Sequence, residues 1–75
     1  MMCDDDMEAA IVEMVSVQKE KLMHIARRIV PGVTDDDVLQ PQDFLDLETN
    51  PEFRYEEGVL QGMETVLAAM RARSK

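Results

Sequence analysis

Residues 5–30 run without a single glycine or proline, and Pro31-Gly32 then interrupts whatever they form. A stretch of that length with no backbone breaker satisfies its N–H and C=O groups most simply as a helix. The side chains agree. Ile11, Val15, Leu22, Ile25 and Ile29 fall on successive a/d positions of a heptad, with Gln18 the one polar member. Val12, Met23, Ala26 and Val30 widen the stripe on its flank, and Asp4, Asp5 or Asp6 can cap its start. The spacing predicts a helix over about 5–30.

A second helix is marked over about 51–73. Thr49-Asn50-Pro51-Glu52 offers a cap, a proline suited to the first helical position, and a glutamate spaced for a capping box with Thr49. Phe53, Leu60, Met63, Leu67 and Met70 repeat at a/d spacing with Glu56 the polar exception, and Val59 and Val66 broaden that face. Arg71, Arg73 and Lys75 sit where the helix dipole favours cations. Between the helices, 31–50 is too long for a tight turn. Thr34-Asp35-Asp36-Asp37 reads as the capped start of a short helix carrying Val38 and Leu39 and stopped before Pro41. Residues 43–47 suggest another turn, placing Phe44 and either Leu47 or Leu45 over the core.

The expected fold is therefore all-α, with residues 1–75 forming one domain. Two long antiparallel helices make a helical hairpin, and the connector 31–50 plugs one end. A chain of this length buries only about 60% of its unfolded surface, and its aromatic share is 4%: Phe44, Phe53 and Tyr55. A two-helix hairpin is marginal alone. Pairing with a second copy into a four-helix bundle is the symmetric remedy.

The second helix carries a further stripe of small residues: Gly58, Gly62, Thr65, Ala69 and Ala72. Each glycine within a helix costs about 0.5–1 kcal/mol relative to alanine, which close approach of another helix can offset. Val15, Leu22 and Ile29, together with Gly58, Val59, Gly62, Val66 and Ala69, are accordingly the expected interface residues. If the stripe is buried by another copy, Gly62→Leu overpacks it and lowers stability, which is the expectation here; if exposed, the same change raises it. Met7 and Met14 are candidates for a partner-facing edge, whereas Met63 and Met70 read as core.

Charge narrows the partners. Eight Lys plus Arg against sixteen Asp plus Glu leave a net charge of −8, which disfavours direct binding to nucleic acid or an anionic membrane. Nine acids and one base, Arg54, lie between Thr34 and Glu57, whereas Lys19, Lys21, Arg27 and Arg28 cluster on the first helix. Solvated surfaces account for both runs; alternatively, the basic end of one copy faces the acidic middle of another. The start, Met1 to Asp6, is unlike a secretory leader, and no lipid-anchor motif is present. The single Cys3 fits a reducing compartment, so a cytoplasmic location is expected.

Chemistry finds little to work with. Counted from Asp35, a calcium loop needs glycine sixth and glutamate twelfth; Gln40 and Asp46 stand there, and Pro41 is seventh. His24 has Glu20 four residues before it, but neither a zinc ligand set nor the Glu-x-x-His pair of a di-iron bundle. Cys3, Ser16 and Ser74 lack an evident activating base and orienter. Gly58-x-x-x-Gly62 lacks the ending of a phosphate loop, and Glu56-Glu57 point to different helical faces. The expectation is a non-enzymatic protein-interaction module without cofactor or metal, homodimeric, binding an unspecified protein. The alternative is an acidic mimic that occupies the nucleic-acid-binding surface of a basic partner.

Overall fold

Four helices account for nearly all of the chain in the computed structural model, which describes residues 4–40 and 43–73, without the side chains of Asp4 and Asp5. They are α1 (Asp4–Ile29), α2 (Asp35–Leu39), α3 (Leu45–Glu48) and α4 (Pro51–Arg73), with no strand among the described residues. Both long helices match the expected spans to within a residue. Cys3, Pro41, Ser74 and Lys75 lie outside the described residues, as does the cap of α1.

α1 ends where the sequence says it should. The Val30 N–H still donates to the Ala26 carbonyl at 2.7 Å, after which Gly32 takes φ +88°. That left-handed geometry is open to glycine and strained for any residue with a Cβ. The reversal turns Val33 inward, where it is buried. Thr34 then starts α2 with a reciprocal cap. Its hydroxyl accepts from the Asp37 N–H at 3.2 Å, and its own N–H donates to the Asp37 carboxylate at 3.0 Å. Val38 turns into the core and Leu39 out to solvent; Leu47 of α3 is fully buried and Leu45 exposed.

The cap of α4 differs from the expected capping box. The Phe53 N–H donates to Asn50 Oδ1 at 2.9 Å, while the Thr49 hydroxyl donates back to the Leu45 carbonyl at 2.8 Å. Glu52 turns instead to Arg28. Pro51 decides between the two caps: proline belongs at the first helical position, which makes the preceding Asn50 the cap.

α1 and α4 pack against each other in opposite directions. Arg28 meets Glu52 at 3.0 Å near the connector, and Arg71 lies 3.9 Å from Glu8 at the far end. The core is concentrated at the connector end, where Leu22, Ile25 and Ala26 meet Val33, Val38, Leu47 and Phe53. Beyond it, among the described residues, only Val15 and Leu67 are buried apolar side chains, with Gln18 the one buried polar one. The molecule measures 44 × 20 × 17 Å. Among the described residues, α2 and α3 pack on the long helices at the connector end only.

The caps give a direct check. Asn50→Ala is expected to lower unfolding stability by about 1 kcal/mol, whereas Thr49→Ala, which removes only an exposed hydroxyl contact, is expected to stay within about 0.5 kcal/mol. Urea midpoints of the two variants distinguish this assignment from a Thr49 cap.

Candidate interaction surface

Each apolar stripe has one polar interruption, and the two interruptions meet. The Gln18 side-chain amide donates to the Glu56 backbone carbonyl at 3.0 Å and to Glu56 Oε1 at 2.8 Å. Lys21 adds its ammonium at 3.1 Å from the other carboxylate oxygen. The Glu56 side chain is only 13% exposed, so this is a partly dehydrated contact in which every buried side-chain polar atom has a partner. The Gln18 hydrogen bond and then Lys21 hold the Glu56 carboxyl below the ordinary value of 4.5, against a smaller desolvation push upward.

Ion pairs divide the molecule into two unlike faces. Lys21 and Arg28 are seven apart on α1, while Glu52 and Glu56 are four apart on α4, so the two bridges they form share one face. Glu8–Arg71 and Lys19–Glu64 span the helices on the other. On that second face lies an open groove of about 610 Å³ with Leu22, Met23, Val38 and Leu60 in its lining and charged residues around them. On the first face the bridges between described residues stop at Lys21–Glu56. Toward the far end the same side of α1 carries Met7, Met14 and Val17, which are 44%, 52% and 60% exposed. The same side of α4 carries Val59 and Met63, both half-buried, and Val66, which is 51% exposed.

These positions continue two heptads begun by the salt bridges. Met7, Ala10, Met14, Val17, Lys21, His24 and Arg28 alternate in steps of three and four, as do Glu52, Glu56, Val59, Met63, Val66, Met70 and Arg73. Each long helix therefore has a second seam, ionic near the connector and apolar beyond it. Val12 is exposed as well, because no connector element reaches its end of α1.

The sequence-derived interface residues separate accordingly. Val15 and Leu22 are buried under the chain's own α4, and Ile29 packs against the connector core, so most of their surface is already covered. Gly58, Gly62 and Ala69 are exposed on the back of α4, whereas Val59 and Val66 belong to the second seam. The Thr65 hydroxyl donates to its own helix at Gln61 O, 2.8 Å away. The basic stretch of α1 meets the acidic run of its own chain, since Lys21 and Arg28 pair with Glu56 and Glu52. Val17 carried no expectation; its signal was the seven-three spacing that joins Met7, Met14 and Val17.

For metal or catalytic chemistry, no three His, Cys, Asp or Glu among the described residues are grouped to hold an ion. His24 is exposed and makes no bond to Glu20, and no described helix is long and apolar enough to cross a membrane. Compared with known proteins, the chain matches no family model, no curated sequence and no solved structure.

Two outcomes follow from this geometry. A side chain added at Gly62 meets nothing within 4 Å, so the expected sign for Gly62→Leu shifts to stabilisation, by up to about 1 kcal/mol, read as a higher melting temperature. For Glu56, a folded-state pKa below 4.5 means stability that is present above that pH and is lost as pH falls through the lowered value. The stability gap between the native chain and Glu56→Gln, measured by urea titration, is expected to be widest at neutral pH and to close progressively as pH falls below 4.5.

Proposed function

We propose that this chain is a non-enzymatic interaction module: an antiparallel helical hairpin that pairs with a second copy into a four-helix bundle and acts by binding another protein. The observation that supports it is the uncovered apolar seam on the far half of the hairpin, where Met14, Val17 and Val66 are each at least half exposed. Fully burying a side chain of this kind contributes about 1.5–3 kcal/mol. A chain whose fully buried core is confined mainly to one end stands to gain a large part of its stability that way. Sedimentation equilibrium at micromolar concentration is expected to give twice the 8.6 kDa chain mass. A single-chain mass under those conditions overturns the dimer.

A second reading has its own support. At the connector end Asp35, Asp36, Asp43, Asp46 and Glu48 are exposed, and none of them is in an ion pair among the described residues. A cluster of unneutralised carboxylates on a rigid end suits an acidic regulator that occupies the nucleic-acid-binding surface of a basic protein. Such binding weakens steeply between low and high salt, because exposed charges are screened over about 10 Å at 0.1 M. Salt-insensitive association excludes this reading.

A further inference from the structure

We infer that the second copy docks on the face carrying the seams of Met14 and Met63, with its helices antiparallel to those they cover, about a two-fold axis passing close to these residues. This rests on the dimer reading above and adds the face, the direction and the register.

Three observations lead there. The first is apolar continuity. Among the described residues, the interhelical ion pairs on this face end at Lys21–Glu56, and the seams beyond are uncharged from Met7 through Val17 on α1 and from Val59 to Met70 on α4. The opposite face, by contrast, keeps Glu8–Arg71 at its far end, and a copy docked there would have to cover that pair and desolvate it.

The second is self-complementarity. An isologous contact sets position i against j and j against i. The α4 seam is symmetric in this sense about the step from Gly62 to Met63. Val59 falls opposite the partner's Val66, and Glu52 at one end falls opposite the partner's Arg73 at the other. Arg73 has no ion pair among the described residues, while Glu52 is exposed and so open to a second cation besides Arg28. Along α1, centred on Met14, the same operation lays residues 4–7 of one copy against residues 21–24 of the partner, which begin with Lys21.

The third is that one axis serves both seams. The Glu8–Arg71 and Lys21–Glu56 contacts place Met14 beside the stretch from Met63 to Val66. The two centres thus agree to within about one helical turn of 5.4 Å.

The test combines mass with cross-linking. In a Cys3→Ser background, Met14→Cys chains treated with a short bis-maleimide are expected to form covalent dimers, and Gln61→Cys chains, altered on the grooved face, are not. Val17→Asp changes a residue already exposed in the single chain, so its helical circular dichroism should be retained while its sedimentation mass falls from two chains to one. If the parent chain sediments as a monomer, both the dimer and this face are overturned. If it sediments as a dimer but Gln61→Cys cross-links in preference to Met14→Cys, or Val17→Asp remains dimeric, the face is overturned and the dimer stands.

Discussion

The register of α1 on α4 depends on the Gln18 amide. Apolar seams are nearly periodic, so away from the connector core the aliphatic contacts of α1 with α4 discriminate poorly between registers one heptad apart. Gln18 has no such freedom. Its buried donors need an acceptor on the facing helix, and Glu56 supplies two, a backbone carbonyl and a carboxylate oxygen. A slip leaves the amide unsatisfied at a cost of about 1–3 kcal/mol. Burial thus supplies most of the energy, and the polar pair selects among arrangements of similar burial, as a single polar a-position residue does in coiled coils. Once Gln18 and Glu56 are opposed, Lys21 reaches the same carboxylate and Arg28 reaches Glu52. Exposed pairs such as Arg28–Glu52 contribute only about 0–1 kcal/mol each; they follow from the register more than they set it.

The placement of the core comes from the connector. Two helices alone have one face each to bury, and a third layer is needed to enclose side chains fully. Val33, Val38 and Leu47 provide that layer, and they reach only the end of the pair where α1 turns into α4. Phe53, fully buried beneath them, is the largest side chain of that core. At the other end Ile11, Met63 and Met70 are only partly covered. Local opening there exposes little additional apolar surface, so the far end is the low-stability end of the chain. It is also the end with the exposed methionines, whose flexible thioethers pack against varied surfaces.

Much of this was legible in the sequence, and the exceptions share a cause. Helix limits could be read because Pro31-Gly32 and Asn50-Pro51 act locally, through φ restrictions and missing donors. The short helix after Thr34 could be read because its capping box is contained within four residues. The α4 cap was ambiguous because Thr49-x-x-Glu52 and Asn50-Pro51 offer competing signals one residue apart. Val33 was missed because a residue following a left-handed glycine belongs to no periodic pattern. Gln18 and Glu56 were each visible as interruptions, but their pairing is a property of register between segments 38 residues apart. Val17 escaped because one seam per helix had already accounted for α1, and nothing local reveals that a second one continues from the salt bridges.

Charge gives the antiparallel arrangement a further consequence. The acid-rich segment from Thr34 to Glu57 lies at the connector end of a body 44 Å long. With a two-fold axis near Met14 and Met63, the connectors of two copies point away from each other, separated by more than the screening length of about 10 Å at 0.1 M salt. Their mutual repulsion is then small, even though the pair carries twice the net charge of −8. Both acidic ends remain open to solvent, and a basic partner could meet either without disturbing the apolar contact. Dimerisation and recognition of a cationic protein are therefore compatible in one molecule. The first would use the half of the helices that the connector leaves uncovered, and the second would use the carboxylates that the connector itself displays.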